Sequence, residues 1–185
     1  MELLTGIAAI AILIALVIHA ATSVRSASER ASEMASARSL GIAWAGYATD
    51  HRGAVLPGYA SGFEAVDANG GSIATQTVPI AAKRWPLRLA PYLGHDLVSL
   101  YSGTARDYAT EIASLPTDDS LYVVSAFPSF GMNSVFVGGD ENFGGFSGIF
   151  LETFGRFYAQ RLSNVRRPDQ LIVFASSRTN ESNPG

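Results

Sequence analysis

Apolar and polar side chains are distributed so that the chain divides near Val24. From Leu3 to Ile18 there is no charged side chain, and only Thr5 interrupts a run of Leu, Ile, Val, Ala and Gly. Ten of these sixteen residues are Leu, Ile or Val, which on an insertion scale favours the bilayer by roughly 3–6 kcal/mol. Extending the run to Val24, with His19, Thr22 and Ser23 as its polar members, gives 22 residues before Arg25. At ~1.5 Å per helical residue this spans roughly 33 Å, about the thickness of a bilayer core. A cleaved secretory signal is the alternative, but no Lys or Arg precedes the run, and the run exceeds the usual apolar core of a signal. A buried core helix is a second alternative.

The helical pattern continues past the apolar run. Val24, Ala27, Ala31, Met34, Ala37, Gly41, Trp44 and Ala48 recur at three- and four-residue steps, with Glu29, Arg30, Glu33 and Arg38 off that stripe and no Pro between Ser23 and Ala48. The spacing predicts one helix from Leu3 to Thr49, ended by Gly53 and a Pro57-Gly58 turn. A coiled coil is one explanation for such length. The stripe, however, is rich in Ala and Gly rather than Leu, which suits close docking against a sheet.

Beyond the helix the signals are shorter. Tyr59–Ala82 reads as a long Gly/Ser/Ala-rich loop, and Trp85-Pro86 opens a short helical piece to Leu93 in which Trp85, Leu87, Leu89, Tyr92 and Leu93 pack. Asp107–Leu115 has a helical look, and Leu115–Asp119 reads as a turn. Strands are predicted at Leu121–Phe127, Met132–Val137, Arg156–Leu162 and Leu171–Ala175, with a glycine-dense loop at Gly138–Gly148. The Phe and Tyr residues between Phe127 and Tyr158 read as core and edge-strand positions. Together these elements predict an α+β domain, its small antiparallel sheet resting on the stripe of the long helix. The chain divides into a membrane helix at 1–24, a continuation of that helix at 25–52 and a globular domain with long loops at 53–185.

Composition changes this picture little. A net charge of −3 gives no electrostatic footprint for nucleic acid, and the mean hydropathy of +0.18 owes much to the first segment. Zero Cys excludes disulfides, thiolate metal sites and a thiol nucleophile. The three His residues have no ligand-spaced partner, and Gly-x-Ser-x-Gly, P-loop and dinucleotide signatures are absent. Asp140-Glu141-Asn142, in the Gly-rich loop, offers clustered oxygens of the kind calcium takes, although the spacing matches no EF-hand. No other cofactor is indicated. Lys83-Arg84 and Arg166-Arg167 read as solvated loop charges.

Glu2-Leu-Leu with its Ile/Ala/Leu run, Leu40-Gly-Ile-Ala and Tyr47-Ala-Thr-Asp-His-Arg-Gly-Ala-Val-Leu-Pro57 resemble the N-terminal half of type IV pilin-like proteins. The pattern is most similar to the pseudopilin-like proteins of planctomycetes that carry a prepilin-type cleavage and methylation segment. Arg84-Trp-Pro-Leu-Arg-Leu-Ala-Pro-Tyr-Leu93, Phe127-Pro-Ser-Phe-Gly-Met-Asn133 and Arg166-Arg-Pro-Asp-Gln-Leu-Ile-Val-Phe174 extend the resemblance over most of the chain. The chain departs from the pattern in three places. Met1 directly precedes Glu2 where the family has a leader and a Gly-Phe junction, His19 stands where these helices often carry Pro, and the final Gly- and His-containing strand is not reached by Gly185. The first departure implies a start upstream of Met1. A basic leader there would also remove a conflict with the positive-inside rule, since Arg25 and Arg30 follow the apolar run and nothing basic precedes it.

The resemblance implies a pilin-like fold and a non-catalytic subunit of a secretion or pilus-like filament. Such a subunit is held by a single pass in the bacterial inner membrane, with its domain in the periplasm. Glu2 would pair with the N-terminal amine of a neighbouring subunit, and Leu3, Leu4, Ile7, Ile10, Leu13, Ile14 and Val17 would form the assembly core. Implied partners are like subunits, a prepilin peptidase, an inner-membrane assembly platform and, before assembly, membrane lipid. The alternative is a membrane-tethered periplasmic binding or enzymatic domain whose helix is only an anchor.

Overall fold

A computed structural model describes residues 2–63, 65–67, 70–72, 79–103, 105–112, 117–143, 146 and 148–177. Its first element, α1, is one uninterrupted helix of 49 residues, Glu2–Asp50, as the periodicity predicts. The helix closes at the predicted place. The His51 N–H donates to the Tyr47 carbonyl (3.0 Å) and the Gly53 N–H to the Ala48 carbonyl (2.7 Å), while Arg52 (φ 55°) and Gly53 (φ 81°) turn left-handed. Glycine adopts that conformation without a Cβ clash, and so it ends the helix.

Short helices and turns follow. They are α2 (Pro79–Ala82), α3 (Trp85–Leu89) continuing as a 3₁₀ turn at Ala90–Leu93, a second 3₁₀ turn at Leu97–Leu100, α4 (Ala105–Ile112) and α5 (Thr117–Ala126). The Asp96 carboxylate caps the second 3₁₀ turn, accepting from the Val98 N–H at 3.0 Å. The sheet has two antiparallel strands, β1 (Phe130–Met132) and β2 (Phe174–Ser176), with Gly131 opposite Ala175. A further short helix, α6 (Gly148–Phe154), lies between them in sequence. The fold is therefore α+β, with a long N-terminal helix and a small antiparallel sheet.

Three strand predictions are corrected. Leu121–Phe127 is the body of α5, and the predicted turn at 115–119 gives way to its first turn, residues 113–116 lying outside the described set. Strand propensity at Val123-Val124 loses to tertiary packing. Leu121, Val124 and Ser125 are buried at helical spacing, against α2, α3 and α4. The strand predicted at Met132–Val137 ends at Met132, where the Ser134 N–H bonds back to the Met132 carbonyl (2.8 Å). Arg156–Arg161 pairs with described residues only through single bridges, Ala159 to Val137 and Arg161 to Ala54, and Leu162 opens a 3₁₀ turn. Of the predicted loop 59–82, the last four residues form α2, and Tyr59 bridges both Arg84 and Asp140.

The main core gathers where α1 meets the domain. Leu40, Ala43, Trp44, Tyr47 and Ala48 are buried there, against Val55, Leu56, Leu89, Leu100, Phe130 and Val137. Fully burying each Leu or Val contributes ~1.5–3 kcal/mol. The buried face is shorter along the helix, broader around it and rotated relative to the predicted stripe, sharing only Trp44 and Ala48 with it. Val24 and Met34 are both 68% exposed, Gly41 is exposed, and no described residue before Ser36 is buried. The partners are chiefly the two 3₁₀ turns and strand β2 of the sheet, with α3 beside them. Close packing behind this face explains Gly138 (φ 76°), where a Cβ would fall 1.9 Å from the Leu56 carbonyl oxygen. A second, smaller cluster joins Ala65, Ala81, Leu87 and Leu121.

Candidate functional site: the projecting helix and the 140–142 loop

The apolar segment of α1 projects from the domain without cover. Ile7, Ile10, Leu13, Ile14 and Val17 are 55–65% exposed, and Ile12, Leu16 and Ile18 are exposed to the same degree on the remaining faces. A helix that is apolar all round has no single seam for a core, so its surroundings must be apolar on every side. Among the described residues this is the one helix long and apolar enough to cross a membrane. Glu2 is the first residue of α1; the side chains of Glu2, Leu3 and Leu4 lie outside the described residues. The polar stretch that follows carries an exposed i,i+4 pair, Arg25 to Glu29 at 3.2 Å, a contact worth ~0.3–0.5 kcal/mol.

The 140–142 loop is built into the domain. Asp140 is buried, and its Oδ1 accepts from the Asn142 N–H at 2.9 Å. The Glu141 carboxylate accepts from the Ser61 N–H (2.5 Å) and the Ser61 hydroxyl (3.1 Å), with Lys83 Nζ at 3.8 Å. The Ser61 backbone N–H, with the Ser61 hydroxyl, Lys83 and Arg88 adding to it, holds the Glu141 carboxyl below the usual carboxylate range. These oxygens thus tie the loop to the 59–61 segment. Among the described residues no three His, Asp or Glu side chains gather into a metal-ligand set.

The structure holds the three His residues apart. His19 lies in the apolar segment. His51 stacks on Tyr47 at 3.8 Å, and its Nδ1 meets the Tyr47 carbonyl at 2.8 Å, so Nδ1 carries the proton. His95 Nδ1 faces the Asp67 carbonyl at 3.3 Å.

Lys83 and Arg84, expected as solvated charges, are structural. Lys83 pairs with Glu141, and Arg84 braces α5 through Ser125 Oγ (3.0 Å) and the Tyr122 carbonyl (3.3 Å). Arg88, not singled out from the sequence, is 2% exposed and donates through Nη2 to the Gly58 and Lys83 carbonyls. Burial pushes its guanidinium down to about 10, against the opposing pull of Tyr47, Glu141 and Asp140. Its place between Leu87 and Leu89 in a short apolar helix was the available signal. The aromatic positions expected in core and edge strands divide: Phe130 and Tyr158 are buried, while Phe127, Phe143, Phe150 and Phe154 are exposed.

The chain matches no known protein family, no curated protein and no solved structure.

Proposed function

We propose that the protein is a non-catalytic, pilin-like subunit that assembles through α1 into a filament of the pseudopilin or pilus type. The observation that carries this reading is the bare apolar rod. Residues 7–18 hold eight large aliphatic side chains, none of them buried, while the domain grips α1 only from Ser36 onward. Such a rod is stable in lipid, and it is equally stable packed against other copies of itself. Heterologous, head-to-tail packing of these rods generates a filament where the rotation between subunits does not close. In this reading Glu2, at the first position of α1, supplies the register. A carboxylate in an apolar bundle is costly unless a neighbour's amine meets it, so misaligned subunits are disfavoured. Before assembly the rod anchors the subunit in the inner membrane with the domain in the periplasm. A prepilin peptidase and an assembly platform are the partners this pathway requires.

The test uses the absence of Cys from the chain. Single Cys residues at Ile10 and Val17, oxidised in the native membrane, are expected to give a ladder of crosslinked multimers that Glu2→Ala shortens. Mass spectrometry of the same material is expected to find a processed, methylated N-terminus four positions before Glu2. Monomers that never crosslink, with an unprocessed start or cleavage after Ala20 or Ala21, would leave a tethered or secreted domain instead.

A further inference from the structure

The start of α3, the end of α5, β1 and the 140–142 loop surround an open cleft of about 540 Å³, within the size range of ligand sites. Exposed Phe127 and half-buried Pro128 and Met132 supply its apolar surface, over the buried Trp85 and Phe130. Arg84, Asp140 and Asn142 supply its polar surface.

Arg84 is the group that the fold leaves incomplete. Its guanidinium lies over the Tyr122 ring at 4.7 Å, and Nη1 makes both protein hydrogen bonds, to Ser125 Oγ and the Tyr122 carbonyl. Those contacts fix the plane of the group. The opposite edge, Nε and Nη2, donates to none of the described residues, and no described carboxylate lies within ion-pair distance of it. Nε–H and one Nη2–H point the same way, the two-donor fork that matches a planar carboxylate. The neighbouring charges are already balanced: Lys83 pairs with Glu141, and buried Arg88 lies in the field of Asp140. Asp140 still has acceptor capacity beyond the Asn142 N–H held by Oδ1. A buried carboxylate at the same cleft repels a phosphate dianion about twice as strongly as a carboxylate monoanion, and it accepts a neutral N–H.

A carboxylate, an amide N–H and an apolar side chain on adjacent atoms describe the end of a polypeptide. We propose that this cleft binds a peptide C-terminus with a large apolar last residue. The carboxylate sits on the free edge of Arg84, the side chain on Phe127, Pro128 and Met132, and the terminal N–H donates to Asp140. This site stands apart from α1 and does not depend on the filament reading.

The experiment titrates N-acetyl-leucyl-phenylalanine, and separately its C-terminal amide, into the isotope-labelled full chain in detergent micelles, reading backbone amide shifts. Saturable shifts at Ser125, Gly131 and Asn142 are expected for the acid, with at least tenfold weaker binding of the amide. Arg84→Gln is expected to weaken the acid by the same factor, and Arg166→Gln to leave it unchanged. If Arg84→Gln fails to fold, the acid-against-amide comparison on the unaltered chain decides alone. Equal affinity for acid and amide overturns the proposal, as does the absence of saturation up to about 5 mM. Equal affinity for N-acetyl-phenylalanine would assign the cleft to a small carboxylic acid and overturn the peptide reading.

Discussion

Tyr101 shows most plainly how single side chains are balanced here. It is 3% exposed, its hydroxyl meets no hydrogen-bond partner among the described residues, and burial pushes the phenol up to about 12. An unpartnered buried hydroxyl costs ~1–3 kcal/mol, whereas an apolar group of the same shape costs nothing in hydrogen bonding. Tyr101→Phe is therefore expected to stabilise the domain by ~1 kcal/mol in chemical denaturation. The pH dependence has a definite sign. A phenol whose pKa is raised on folding contributes its full stability below the unfolded pKa of 10.0 and loses it as pH rises toward about 12. The advantage of Tyr101→Phe should widen across that window, and a constant difference from neutral pH to pH 12 would refute the assignment. Arg88 is a harder compromise, since a guanidinium is buried to hold two carbonyls, of Gly58 and Lys83, while its Nε and Nη1 meet no partner among the described residues.

Among the elements, α1 has two physical halves whose division falls at Ser36 rather than at the end of the apolar run. Leu40 is wholly buried and Ile42, two residues on, is 68% exposed. The two aliphatic side chains point to different faces of one helix. Leu40→Ala is expected to destabilise the domain by ~2–5 kcal/mol, the transfer term plus the cavity left behind. Ile42→Ala should fall within ~0.5 kcal/mol. Thermal unfolding of both variants checks the assigned face, and similar losses would mean that the helix is rotated from its described position. The pair α4 and α5 belongs to the same scale. Their buried positions meet the 85–100 turns, so a segment with strand propensity is held as helix by its neighbours.

For the molecule as a whole, nothing in the described domain depends on the rod. Its main core begins at Ala37 and Leu40, and the α1 residues from Ile10 to Ala35 contribute no buried side chain. A chain beginning at Arg25 is therefore expected to fold as a soluble monomer. Its unfolding midpoint should lie within about 3 °C of the full chain in detergent, a shift that corresponds to about 1 kcal/mol for a chain of this size. Size-exclusion chromatography and thermal unfolding check this together. Aggregation or loss of cooperative unfolding would show that the apolar helix supports the domain as well as projecting from it.

The features that rest on local chemistry were legible from the residues alone. An unbroken 3.6-residue period without Pro, closed by a glycine able to turn left-handed, requires only the chain's own backbone, and α1 ends at Asp50 as that logic demands. The Trp85–Leu93 helical piece followed for the same reason, with Pro86 tolerated in a first turn. Tertiary structure alone decided which face of α1 is buried, because Ala, Gly and Ser positions carry too little hydrophobic contrast to choose between neighbouring stripes. It also decided that residues 117–126 are helix, because packing outweighed the β-branched pair. The roles of Lys83, Arg84, Glu141 and Ser61 were invisible for a related reason. Their partners lie 38 to 80 residues away, and charge becomes structure only when the fold brings such groups within hydrogen-bond reach.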